Sequence, residues 1–151
     1  MNQSKVQLRR NMRSLRDEID REKRQIYSDQ ITETILATPC VRKAKRFFVY
    51  VSFRSEVQTH DLINRLLELN KDIYVPAIDS NDRMQVVRFT SWDTMRPDAF
   101  GVLVPRDPML EKEEMHIAIV PGLAFTASGA RIGYGKGHYD RFFADHIVKT
   151  K

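Results

Sequence analysis

Pro121-Gly122-Leu123-Ala124-Phe125-Thr126-Ala127-Ser128-Gly129-Ala130-Arg131-Ile132-Gly133-Tyr134-Gly135-Lys136-Gly137-His138-Tyr139-Asp140-Arg141-Phe142 is the stretch on which the reading of this chain turns. The apolar run Ile117 to Val120 feeds it, and an amphipathic segment beginning at Tyr139 leaves it. Gly133, Gly135 and Gly137 stand at every second position, so the backbone can approach a ligand with no Cβ in the way. Successive amides in such a run can point together at an anion and form a phosphate nest. Arg131, Lys136 and Arg141 add positive charge, and Asp140 supplies a carboxylate where a phosphate-bound Mg²⁺ would take one. A glycine-rich turn alone is commonly a plain loop. Set between a buried strand and a helix, and charged in this way, it predicts phosphate binding.

Upstream, helical and strand patterns alternate. Ser4 to Ile19 reads as a helix with Leu8, Met12, Leu15 and Ile19 on one stripe. On its neighbouring face, Arg13 and Arg16 read as a solvated flank paired with Asp17 and Asp20. Glu22 to Ala37 predicts a second helix with Tyr27, Ile31 and Ile35 inward and Pro39 beyond its end. Arg46 to Val51 predicts a strand covered on both faces, since Phe47 to Val51 is a continuous aromatic and β-branched run. Ser52 to Gln58 is a polar loop, and Thr59 is placed to cap a helix whose inner face is Leu62, Ile63, Leu66 and Leu67. Ile73 to Val75 predicts a parallel strand closed by Pro76. Met84 to Phe89 predicts an added antiparallel strand, and Gly101 to Pro105 a short extended segment. His116 to Val120 is the last buried strand, and Asp140 to Val148 the last helix, with Phe142, Phe143 and Ile147 toward the core. The alternation predicts an α/β fold: one open three-layer α/β/α domain over residues 1–151 with a mostly parallel sheet.

The bulk numbers limit the function. A formal charge of +5 and a pI near 9.5 suit an anionic ligand. Nucleic acid is disfavoured, because the arginines are interleaved with Asp17, Glu18, Asp20 and Glu22 rather than massed with stacking aromatics. Cys40, the single cysteine, excludes an internal disulfide and reads as a filler at a helix end. The charged N-terminus has no apolar h-region and no run is long enough to cross a bilayer, so the expected location is the cytoplasm, with no membrane partner. His60, His116, His138 and His146 show no metal-ligand spacing; His116 reads as a satisfied residue at a strand start. There is no nucleophile elbow and no P-loop pattern.

The glycine-rich stretch closely resembles the signature of the 5-formyltetrahydrofolate cyclo-ligases, or methenyltetrahydrofolate synthetases, roughly P-G-L-A-F-D-x-x-G-x-R-L-G-x-G-x-G-Y-Y-D-R-F. Thr126 departs from the usual Asp, His138 from the first Tyr of Tyr-Tyr-Asp, and Val104 from an acidic residue before Pro105. The resemblance implies an enzyme that converts 5-formyltetrahydrofolate to 5,10-methenyltetrahydrofolate at the expense of MgATP. A relative that binds nucleotide or folate without turnover is the alternative. It implies ATP contacts from Lys5-Val6-Gln7-Leu8-Arg9 and from Arg131, Ile132, Gly133, Tyr134, Gly135, Lys136, Gly137, His138 and Tyr139. Arg131 and Lys136 take the catalytic role on the phosphates, and Asp140 holds Mg²⁺. Val51 and Glu56, within Glu56-Val57-Gln58-Thr59, together with Tyr134, are expected to bind the folate, which could be polyglutamylated. Phe53 and Trp92 are aromatic candidates for the pterin wall, Trp92 reading better as core. The expected state is a monomer. Family members continue for a few dozen residues past the Tyr-Asp-Arg helix, with further strands and a second acidic residue near the metal. The resemblance therefore implies an unpaired sheet edge and weaker metal binding here.

Overall fold

The computed structural model describes residues 4–111, 114–145 and 148–150. Ser4 accepts a hydrogen bond from the Gln7 amide and starts helix α1, Lys5–Asp17. Asp20 does the same for Lys23 and starts α2, Arg21–Ala37. These side-chain acceptors satisfy amides that the first helical turn leaves without partners. Pro39 opens the short helix α3, Pro39–Lys43, where its missing N–H costs nothing. Then follow β1 (Arg46–Val49), α4 (His60–Glu68), β2 (Asp72–Ile78), β3 (Met84–Arg88), β4 (Met95–Pro97) and β5 (Leu103–Pro105). The chain continues through β6 (Met115–Ile119), β7 (Ala124–Phe125), β8 (Arg131–Ile132), α5 (His138–Asp145) and β9 (Val148–Thr150).

The main sheet has the order β3-β2-β1-β6-β9. β1 is parallel to both β2 and β6, β9 is parallel to β6, and β3 is antiparallel to β2. Phe47, Phe48 and Val49 are fully buried. Alternation sends Phe47 and Val49 into a core with Leu62, Ile63 and Leu66 of α4. Phe48 points the other way and stacks on Phe142 of α5 at 4.5 Å. Helices therefore cover both faces, giving the three-layer α/β arrangement. β4 and β5 form a separate antiparallel ribbon beside the sheet.

Several local expectations change. β2 runs on through Pro76, because its pairing with β1 ends at Tyr74 and only β3 flanks it beyond that point. A proline is tolerated where one side of the strand has no ladder. Of the α2 residues expected inward, Ile35 packs on the core while Tyr27 and Ile31 are exposed, and the buried positions are Ser28 and Thr32. Ser28 Oγ accepts from the Gln58 amide at 3.0 Å. The helix face thus holds the loop after β1, and small hydroxyl residues permit that approach. Thr59 precedes α4 but does not cap it: its hydroxyl donates to the Tyr50 carbonyl at 2.7 Å and accepts from the Ser52 amide at 3.0 Å. α5 is described over His138–Asp145, and Val148 belongs to β9 rather than to the last helix. His146 and Ile147 lie outside the described residues.

Candidate active site

β1 and β6 are adjacent and parallel, so the loops that follow them leave the same end of the sheet. Ligand crevices of open α/β sheets form at that end. After β6, the strands β7 and β8 make a small hairpin, with Phe125 opposite Arg131. Its turn is closed by Thr126, whose hydroxyl accepts from the Ala130 amide at 2.9 Å. A threonine therefore serves where a carboxylate would otherwise fold the turn. Beyond the hairpin, Gly135 and Gly137 adopt φ of 103° and 70°, the left-handed region in which a side chain is strained. Gly133 has no positive φ; a Cβ there would lie 2.7 Å from Arg131 Nη1. Its requirement is close approach rather than chirality.

A cleft of about 230 Å³ opens over this loop. It is lined by Lys5 and Arg9 from α1, by the run from Arg131 to Gly137, and by His138, Tyr139 and Asp140 at the start of α5. Val6, Gln7 and Leu8 are not in its lining: Val6 is exposed, and the Gln7 side chain bonds Asn11. The amino end of α5 adds the partial positive charge of unpaired amides to the cationic side chains. Arg9 Nε donates to the Gly133 carbonyl at 2.9 Å, and Arg131 Nη1 donates to the Pro121 carbonyl at 2.9 Å. Both arginines are thereby held in place before any ligand arrives. His138 Nε2 lies 3.0 Å from Asp82 Oδ1 on the β2–β3 turn. That hydrogen bond holds the exposed Asp82 carboxyl below its ordinary value.

Asp140 is 86% exposed at the cleft mouth, with Arg131 Nη2 3.7 Å from its Oδ1. Among the described residues no group of three or more His, Cys, Asp and Glu gathers around a point. One exposed carboxylate at the mouth of a cationic cleft fits Mg²⁺, which keeps several waters and binds through one or two carboxylates plus substrate phosphates.

A second, more apolar pocket of about 300 Å³ adjoins the cleft and shares Tyr134, Lys136, His138 and Tyr139 with it. Val51, Phe53, Glu56 and Phe100 also line this pocket. Glu56 is fixed at both oxygens, accepting from the Phe53 amide at 2.8 Å and from the Tyr134 hydroxyl at 2.7 Å. Burial pushes the Tyr134 phenol up to about 12, and pushes Tyr50 and Tyr139 up as well. At neutral pH all three are donors. Trp92 lies elsewhere, stacked on His60 at 4.5 Å and packed edge-on against Phe89 at 4.9 Å.

The arrangement can be compared with known proteins. The model of the 5-formyltetrahydrofolate cyclo-ligase family matches residues 1–151. The chain belongs to that family. It is 32% identical over 152 residues to a probable 5-formyltetrahydrofolate cyclo-ligase of Caenorhabditis elegans, covering 94% of this chain and 73% of the relative. It is 26% identical to the cyclo-ligase of Mus musculus, with 94% and 74% covered. The 5,10-methenyltetrahydrofolate synthetase of Aquifex aeolicus superposes with a TM-score of 0.85 at 26% identity, covering 97% of this chain and 75% of that one. A synthetase from Mycoplasma pneumoniae, at 17% identity and a TM-score of 0.72, shares the fold. Membership makes this chain one of a family of enzymes.

Two features of this candidate site escape the sequence reading. Phe100, 70% exposed, lies on the pocket wall with Lys136 Nζ 4.7 Å from its ring centroid. Its only signal was an aromatic residue in a turn-rich segment. Arg16 is no solvated flank: its Nη1 donates to the Tyr134 hydroxyl at 2.8 Å and its Nε to Ser55 Oγ at 3.0 Å. The i, i+4 pattern that suggested pairing with Asp20 carries no information about a loop distant in sequence. His116 is satisfied, its Nδ1 accepting from the Lys45 and Arg46 amides, and Cys40 is exposed in α3. No helix among the described residues is long and apolar enough to cross a membrane.

Proposed function

We propose that this chain converts 5-formyltetrahydrofolate to 5,10-methenyltetrahydrofolate with consumption of MgATP and release of ADP and phosphate. One observation carries the reading. Tyr134, Lys136, His138 and Tyr139 belong to the walls of both the cationic cleft and the apolar pocket. A nucleotide in the first and a pterin in the second would meet across these residues. The formyl oxygen on N5 is a poor leaving group, and transfer of the γ-phosphoryl to it turns it into phosphate. N10 then attacks the activated carbon and loses its proton as phosphate departs, which closes the five-membered ring.

The residues have separate tasks. Lys5 and Arg9 close over the nucleotide from α1, and Arg131 and Lys136 neutralise the charge that spreads over the transferring group. Bound Mg²⁺ would be held by Asp140 and would supply charge neutralisation to the phosphates. Glu56, an acceptor, suits the N–H groups on the pterin edge, with Val51 and Tyr134 beside it. The test is phosphate release from ATP with and without 5-formyltetrahydrofolate, together with absorbance of the methenyl product. Folate-dependent release that matches product supports the reaction. Binding of both ligands without turnover would favour a silent relative. Lys136→Ala and Asp140→Ala are each expected to lower the rate by about a hundredfold or more; intact rates in both would displace the site.

A further inference from the structure

α1 is attached to the molecule in an unusual way. None of its residues is buried, and Leu15, expected on the inner stripe, is 56% exposed. Polar contacts hold it instead. Arg9 donates to the Gly133 carbonyl, while Arg16 donates to Ser55 Oγ and to the Tyr134 hydroxyl. Ser55 in turn meets Asp17, so the loop after β1 returns a contact to the same helix. Arg13 adds its guanidinium carbon 5.6 Å from the Tyr134 ring centroid.

The direction of the hydrogen bonds around Tyr134 follows from chemistry. A guanidinium has donors and no acceptor. Facing Arg16, the phenol oxygen must accept, and its own proton then goes to Glu56 Oε1, 2.7 Å away. The chain Arg16 to Tyr134 to Glu56 thus presents Glu56 as an acceptor and fixes the ring that both pockets share. Resting on the reaction proposed above, we infer that Arg16 is a positioning residue that couples the two pockets, by seating α1 against the wall common to them. Whichever ligand binds first further restrains α1, which no buried residue anchors, against Tyr134, and the second ligand binds a helix already restrained. Coupling of this kind is reciprocal: each ligand tightens the other by the same factor.

The experiment uses the full chain, a non-hydrolysable ATP analogue with Mg²⁺, and 5-formyltetrahydrofolate, measured by calorimetry singly and together. In the wild-type chain each ligand is expected to tighten the other by at least about fivefold. In Arg16→Met and Arg16→Lys, the analogue alone binds within about threefold of wild type, and the mutual tightening falls below about twofold. Lysine retains the charge but lacks the planar fork that reaches two oxygens. Adding Arg16→Met to Tyr134→Phe is expected to remove no further coupling. Hydrogen exchange supplies a second readout: in wild type either ligand alone slows exchange along α1, and in the variants neither does. Folded variants that keep the full mutual tightening overturn the inference and leave the reaction standing. A wild-type chain that binds both ligands independently does the same. A wild-type chain that binds neither ligand overturns the proposed reaction and this inference with it.

Discussion

Lys136 Nζ stands 4.7 Å from the centre of the Phe100 ring, joining the glycine-rich loop to the turn between β4 and β5. Phe100 is otherwise largely in solvent, so core packing does not account for it. An exposed cation–π contact contributes only about 0.5–1 kcal/mol. The larger consequence is for an aromatic ligand in the pocket that Phe100 lines. Phe100→Ala is expected to raise the KM for 5-formyltetrahydrofolate roughly tenfold, on the order of 1.4 kcal/mol, with the KM for ATP changed by less than about threefold. Phe100→Leu should recover part of the loss. Steady-state kinetics varying one substrate at a time check this, and equal rises in both KM values would count against it.

Gly135 and Gly129 provide a matched pair. Both adopt positive φ, 103° and 91°. A Cβ on Gly129 would meet nothing within 4 Å, whereas one on Gly135 would lie 3.4 Å from Arg9 Cζ in the cleft. Alanine at either position carries a backbone strain of about 1–2 kcal/mol. Thermal unfolding should therefore show similar losses for Gly129→Ala and Gly135→Ala. Only Gly135→Ala should weaken nucleotide binding, by about tenfold or more, because only there does the new methyl group stand in the cleft, in contact with Arg9. Equal affinities in the two variants would show that the glycine-rich loop does not cradle the phosphates.

The legible parts of this protein were those written contiguously. The run from Arg131 to Asp140 lines one cleft as a block because strand, glycine turn and helix start follow one another in the chain. The covering of the sheet by helices on both faces was legible from β1, since Phe47, Phe48 and Val49 need cover on both sides. What stayed hidden was assembled from distant pieces. Arg16, Tyr134 and Glu56 come from a helix and two loops, and no periodicity links them. Part of the inner face of α2 was hidden for another reason: Ser28, buried like Thr32, serves a loop backbone, so hydrophobicity at Tyr27 and Ile31 points to the wrong side. β9, at three residues, is too short to carry a pattern of its own.

His60 sets an acid limit on stability. Burial lowers its pKa below 6.5, and its Nε2 is buried with no hydrogen-bond partner among the described residues. The unfolded chain therefore takes up a proton at a higher pH than the folded chain does. Unfolded protein is favoured as pH falls from about 6.5 toward the lowered folded-state value, and this contribution is restored as pH rises. The ring stacks on Trp92, the single tryptophan, so its fluorescence reports the site directly. Denaturant midpoints followed through Trp92 should drop across that window in wild type. His60→Phe, which keeps an aromatic ring without a titrating group, should flatten the dependence.

Asp140 is the carboxylate proposed to hold Mg²⁺. Its carboxylate is open to solvent, and Arg131 Nη2 is 3.7 Å away, so two roles compete: ligand to Mg²⁺ or partner to a phosphate-binding arginine. They predict different losses. A ligand role means that Asp140→Asn raises the Mg²⁺ concentration for half-maximal rate by on the order of tenfold, since one anionic oxygen leaves the first coordination sphere. Saturating Mg²⁺ should then restore much of the rate. A role confined to orienting Arg131 would leave the Mg²⁺ requirement unchanged and lower nucleotide affinity at every metal concentration. The arrangement favours the first outcome, because Arg131 is already fixed by the Pro121 carbonyl and does not need Asp140 to hold it. Titrating Mg²⁺ at fixed, saturating ATP in wild type and Asp140→Asn separates the two.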